Sequence, residues 1–149
     1  MNTVSSPTSL LKWPAAACLV ATAAIHATLV PQHLREAPYA GVLFLCLSSA
    51  AAVLAVVLVT TNDDRAWLAT GALSAGAVLA YLLSRSVGLP SLGDDIGDWL
   101  NPLGVTAVLA EAAAMAICCV RVLASASVAR DHADATVAVV GRGRTASGV

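Results

Sequence analysis

Four separate stretches of this 149-residue chain are apolar, each for about the 20 residues that a helix needs to cross a hydrocarbon core of about 30 Å. They run from Trp13 to Val30, from Tyr39 to Thr60, from about Ala66 to Val87, and from about Pro102 to Ala124. Inside lipid no water is present to satisfy backbone amides and carbonyls, so segments of this length are helical. Short connections force consecutive spans to run antiparallel. The expected fold is therefore all-α, an integral membrane antiparallel four-helix bundle in up-down-up-down order. Composition agrees: 58% of the residues are hydrophobic and only 11% charged, against roughly 25% charged in a soluble domain.

The ends of the spans carry the chemistry expected of helix boundaries. Pro14, Pro38 and Pro102 stand where helices would begin, a place that tolerates proline because first-turn amides have no intrahelical partner. Asn101 precedes Pro102 as an N-cap, and Gly88-Leu89-Pro90 reads as a stop after the third span. Trp13, Tyr39, Trp67 and Trp99 lie near proposed ends, where amphipathic rings settle at the headgroups.

Basic residues set the direction. With the N-terminus inside, Lys12, Arg65, Arg121 and Arg130 fall on the cytoplasmic side near spans, and Arg35 and Arg85 fall outside. Both termini are thus expected in the cytoplasm of a cell that carries the protein in its inner membrane. The first segment also admits a signal-peptide reading, with Lys12 as the charged region and Ala21-Thr22-Ala23 as the cleavage site. Its apolar run continues beyond that site to Val30, which favours a retained span.

Three regions follow. Residues 1–12 are a polar cytoplasmic N-terminus, 13–124 the transmembrane domain, and 125–149 a cytoplasmic tail. The tail is rich in Gly, Arg, Ser and Thr toward its end, which predicts disorder after a helical continuation to about Asp134. The lipid bilayer is the expected surrounding, and a second membrane protein or another copy of the chain is the expected kind of partner. The net charge of -1 argues against nucleic acid, which demands clustered Lys and Arg.

Burial from water cannot hold helices together in lipid, so small and polar residues must do so. The second span supplies Ser48 to Ala52, and the third supplies Gly71 and Ala75 at a small-xxx-small spacing. Cys18, Cys46, Cys118 and Cys119 all lie in apolar runs without a zinc spacing and read as packed or lipid-facing thiols.

The candidate chemistry lies toward the outer half. His26 and His33 are seven residues apart and share a face, approximately so because Pro31 interrupts the helix between them. Glu36 follows. On the third span Thr70, Ser74, Ala77, Tyr81 and Arg85 form one stripe, which should face the bundle rather than lipid. Glu111 lies nine residues into the fourth span, roughly 14 Å deep at 1.5 Å per residue. A carboxylate at that depth must be protonated, paired or facing a wet cavity. By the same rise, His26 is about 6 Å deep and Tyr81 about 9 Å, with Arg85, His33 and Glu36 at the mouth. These depths predict a polar cavity that opens outward and has Glu111 as its floor. The loop from Ser91 to Asn101, with Asp94, Asp95 and Asp98, reads as a solvated acidic connection.

The stretch Ser84-Arg85-Ser86-Val87-Gly88-Leu89-Pro90 resembles the SRT-x-GLP signature of a family of small four-span bacterial membrane proteins. That family also carries a His at the end of its first helix, an H-x-x-E element and a glutamate in its last helix. The matching residues are His26, His33-Leu34-Arg35-Glu36 with Pro38 and Gly41 behind it, and Glu111. Gln32 stands where a Glu commonly precedes the second His, Ser86 replaces the usual Thr, and the outer loop has less Pro and Glu than is typical. The resemblance covers the chain from about His26 to Glu111. It implies the same architecture and the same choice of residues; no activity comes with it.

Three functions fit such a constellation. The first is an accessory or structural subunit of a membrane assembly, with the polar residues acting as packing contacts. The second is an outer-face site for a transition-metal ion or small ligand, with His26, His33 and Glu36 as metal ligands and Glu111 or a loop Asp as a fourth. The third is a proton or small-solute path whose ligand or proton-linked groups are His26, Tyr81, Arg85 and Glu111. A bis-histidine haem lacks a second membrane-buried His, and no nucleophile elbow or glycine-rich phosphate loop is present. An enzymatic role is the less favoured reading.

Overall fold

A computed structural model describes residues 10–61 and 63–146. Among these residues a 3-10 turn at Gly93–Asp95 accompanies four α-helices: α1 Lys12–Glu36, α2 Pro38–Thr60, α3 Asp64–Ser86 and α4 Pro102–Ala146. Each is long and apolar enough to cross a membrane, α4 by its Pro102–Ser127 part. The helices pack antiparallel in chain order, and the chain is a multi-pass membrane protein with an all-α bundle.

Two boundaries differ from the sequence reading. Pro31 does not interrupt the first helix; α1 runs through it to Glu36. Proline removes one backbone donor and disturbs one turn, and membrane helices tolerate this where neighbouring groups re-satisfy the backbone. The H-x-x-E element therefore lies on helix rather than in a loop, and His26 and His33 keep their seven-residue register. At the other end, α4 continues to Ala146, beyond the helical continuation to about Asp134 that the sequence reading expects before a loose tail. Extending an existing helix needs no new nucleus, and residues 128–140 contain neither Gly nor Pro. Residues 1–9, expected to be polar and loose, and residues 147–149 lie outside the described residues.

A single residue, Ala37, joins α1 to α2. Its backbone leaves the helical region (φ -146, ψ 87), as the residue before a proline must. The Ala37 N–H donates to the His33 carbonyl at 2.8 Å, and its own carbonyl accepts from Ala40 and Gly41. A link this short brings the helices into contact: a Cβ on Gly41 would stand 2.6 Å from both the backbone N and the Cγ of Leu34. Only glycine fits there.

The pair α1–α2 has the most extensive interface, α4 packs on both α1 and α3, and α2 touches α3 only lightly. The interior is built from small side chains. At the end that carries the chain terminus, Ala15, Ala16, Leu19, Ala51, Ala55, Leu58, Ala66, Trp67 and Cys118 form one core. Large apolar residues such as Val42, Leu43, Leu45, Val53 and Leu109 point outward. This inversion suits lipid, where close backbone approach, and not water exclusion, holds helices together. Ser48 adds a hydrogen bond from α2 to the Ala23 carbonyl of α1 at 2.8 Å. Gly71 packs against Cys118, whereas its small-xxx-small partner Ala75 is exposed. All four cysteines are free thiols; Cys118 is buried, and Cys46 and Cys119 are exposed on the bundle surface.

Polar groups tie the terminal end of the bundle. Lys12 donates to the Thr61 carbonyl at 2.6 Å, which places a cation at the C-terminus of α2. Asp63 caps α3 by accepting from the Arg65 amide, and Arg121 of α4 pairs with Asp64 at 2.9 Å. Trp67 is buried beneath the Arg121 guanidinium rather than standing at the headgroups. Trp13, Tyr39 and Trp99 are exposed near helix ends, as expected of interfacial rings.

Candidate functional site

Glu111 is 2% exposed and His26 7%, so both ionisable groups are interior despite their cost in lipid. They meet: His26 Nε2 on α1 lies 3.6 Å from Glu111 Oε1 on α4. The other ring nitrogen, Nδ1, lies 2.9 Å from the Thr22 carbonyl one turn back. A carbonyl oxygen can only accept, so Nδ1 carries the hydrogen and the neutral ring presents its Nε2 lone pair to Glu111.

That geometry dictates the chemistry. A carboxylate facing a lone pair is repulsive, and attraction needs one proton between them. The proton sits either on Glu111, whose hydroxyl then donates to Nε2, or on His26, whose Nε2–H then donates to the carboxylate. The pair can thus hold one proton when its 3.6 Å separation closes to hydrogen-bond length. Glu111 Oε1 has no hydrogen-bond partner among the described residues, which leaves the imidazole as the group that can satisfy it.

His33 repeats the local arrangement one step toward the loop end. Its Nδ1 lies 3.0 Å from the Leu29 carbonyl, again one turn back. Phe44 of α2 touches both imidazoles, with ring centroids 4.9 Å from His26 and 4.5 Å from His33. The sequence reading gave Phe44 no role. Its one available signal was that the chain contains a single Phe.

The remaining candidates belong to a second cluster. Arg85 of α3 is 9% exposed and pairs with Asp95 of the α3–α4 connection at 2.6 Å. Ser84 donates to the same carboxylate at 3.0 Å, and Arg85 donates also to the Asp95 carbonyl. Tyr81 lies against the guanidinium and donates to the Trp99 carbonyl at 2.9 Å. Tyr39 of α2 reaches over to the Pro90 carbonyl at 2.6 Å, and Leu92 is buried against Ala37 and Ala40 at the α1–α2 link. Gly88 (φ +80) turns the chain out of α3, and a Cβ there would meet Ile96 at 2.8 Å.

The connection is therefore a folded cap that crosses the end of the bundle, not a freely solvated acidic loop. Asp94 and Asp98 are exposed, but Asp95 is the counter-ion of a buried arginine. The cap also corrects the expected outward-opening cavity. Arg85 and Tyr81 hold the cap and lie against Gly104, seven residues before Glu111 on the same face of α4, so the cap closes over that face, and deeper in, Glu111 is packed against His26.

The stripe on α3 does face inward: Thr70 is fully buried and Ser74 nearly so. The expected metal set does not assemble. His26 faces Glu111, His33 faces Phe44, and Glu36 is exposed and accepts a hydrogen bond from Gln32 at 3.1 Å. Among the described residues no three His, Cys, Asp or Glu side chains converge to hold a metal ion. An open apolar groove of about 750 Å³ lies between α1 and α2, lined by Trp13, Ala16, Val20, Ala52, Val56 and others. It is remote in chemistry from the ionisable pair.

Comparison with family models, with curated proteins and with solved structures finds no match to this chain.

Proposed function

We propose that the protein is a proton-linked component of a bacterial inner membrane in which His26 and Glu111 bind and release one proton between α1 and α4. The observation that carries this reading is the 3.6 Å approach of a lone-pair nitrogen to a buried carboxyl oxygen with no other partner among the described residues. Ionisable groups are costly inside a bilayer and are kept there chiefly for function. The pair joins two helices, so a change in its protonation alters the contact between them. The bias of Lys12, Arg65, Arg121 and Arg130 toward the terminal end supports cytoplasmic termini, with the cap on the outer side. The motifs around His26, His33, Gly88 and Glu111 support membership of the small four-span family that they resemble.

The test is infrared difference spectroscopy of the protein in lipid nanodiscs, titrated from about pH 4 to about pH 10 to span the carboxyl and imidazole ranges. A carboxylic-acid band that changes over this range and vanishes in Glu111→Gln supports the reading. Identical difference spectra for wild type and Glu111→Gln would sink it. A second reading, an accessory subunit of a larger membrane assembly, is supported by the apolar groove between α1 and α2, which has room for part of a neighbouring helix. Co-purification of a stoichiometric membrane partner, lost when Ala24 or Ala52 is replaced by Leu, would favour it. Metal binding through His26, His33 and Glu36 draws no such support.

A further inference from the structure

Resting on the one-proton reading of the His26–Glu111 pair, we infer that the pair exchanges its proton with the capped side of the membrane through His33, and that Phe44 is the gate between the two imidazoles.

Seven residues separate His26 from His33 on an unbroken helix, a rise of about 10.5 Å. A proton cannot cross that gap directly. The Phe44 ring occupies it, in edge-on contact with His26 (interplanar angle 88°) and tilted contact with His33 (53°). A benzene ring offers neither a donor nor an acceptor, so with Phe44 in place the two histidines are not connected.

Both imidazoles are set up alike. Each is held through Nδ1 to a carbonyl of its own helix, at Thr22 and at Leu29, so each keeps Nε2 for proton traffic. His26 is buried while His33 is partly exposed, which gives the order bulk water, His33, His26, Glu111. Among the described residues, the ionisable groups in reach of His26 are Glu111 from α4 and His33 from its own helix; α2 contributes the Phe44 ring.

When Phe44 swings aside, a short file of waters can enter the space it leaves. The proton held between His26 Nε2 and Glu111 Oε1 passes to the nearest of these waters and along the file to His33 Nε2. The pair then loses one positive charge and His33 becomes an imidazolium, which releases the proton to bulk water. Uptake is the reverse. Both Nδ1 hydrogens stay on their carbonyls throughout. Phe44 sits on α2 beyond the Ala37 link, where the Gly41–Leu34 contact fixes how closely α2 lies against α1. Any parting of this hairpin moves the gate.

The deciding experiment is a pH jump on the protein in nanodiscs, with the relaxation of the Glu111 carboxyl band followed in the infrared. Phe44→Ala should speed the relaxation, and His33→Gln should slow it, each by about tenfold, equivalent to about 1.4 kcal/mol in the barrier. Phe44→Leu, which keeps a side chain in the gap, should fall between and serves if Phe44→Ala fails to fold. Unchanged rates in Phe44→Leu and His33→Gln, with the band intact, would overturn the gate and leave the pair standing. A wild-type protein with no Glu111 band would remove both.

Discussion

Replacing Asp95 with Ala should destabilise the cap by about 2–3 kcal/mol, and the structure shows how that figure arises. Arg85 has a side chain only 10% exposed, and its nearest anion is Asp95 at 2.6 Å, itself 31% exposed. Removing one partner of a fully buried ion pair costs about 3–5 kcal/mol, and removing an exposed one about 0–1 kcal/mol. With one partner buried and the other partly wet, about 2 kcal/mol is expected, and loss of the Ser84 hydrogen bond adds about 1 kcal/mol. The guanidinium keeps the residue-95 carbonyl and the Tyr81 ring, and Arg85 Nε already lacks a partner among the described residues. The assay is equilibrium unfolding in mixed micelles read by tryptophan fluorescence. Trp99 reports on the cap because it stands edge-on to Tyr81 at 6.3 Å. Asp95→Asn, which keeps a hydrogen bond from Ser84 but no charge, should lose about 1–2 kcal/mol. In a Ser84→Ala background the Asp95→Ala loss should shrink by about 1 kcal/mol. A stability within about 0.5 kcal/mol of wild type for Asp95→Ala, the range of an ordinary surface change, would refute the view that this residue clamps the cap.

Two glycine substitutions test the backbone geometry, each against its own control. Gly41→Ala places a Cβ against the Leu34 backbone, so α1 and α2 must part; thermal unfolding in detergent should show a loss of about 1–3 kcal/mol. Gly76→Ala, which meets nothing within 4 Å, should be near neutral in the same assay. Gly88→Ala combines a left-handed backbone with a contact to Ile96 and should cost about 1–2 kcal/mol from the backbone alone. Its control is Gly93→Ala, where the added carbon meets open space; equal effects at both sites would contradict the left-handed turn at Gly88.

Much of the site was legible because the rules involved are local. The depth of Glu111 follows from counting residues along a helix, and its need for a partner follows from the cost of a charge in lipid. The inward turn of Thr70 and Ser74 follows from the polar stripe of α3. The reach of α1 was misjudged at Pro31 because a proline's effect depends on what packs around it. Arg85 does lie over the α4 face that carries Glu111, against Gly104 two turns earlier, but depth along a helix carries no sign that its charge is taken up by Asp95. Asp95 was read as solvated for a related reason: a loop aspartate differs from its neighbours Asp94 and Asp98 only once the chain folds back on Arg85.

The sequence by itself determined that the chain crosses a membrane with four antiparallel helices, where most of them start, and which residues are too polar to face lipid. These are properties of single segments in a solvent that forbids unpaired backbone. Tertiary structure alone decided that Glu111 meets His26, that Phe44 lies between two imidazoles, and that Arg85 serves the cap. Each is a matter of register and rotation between helices. Those are set by contacts such as Gly41 on Leu34 and Gly71 on Cys118, between residues that no local pattern links.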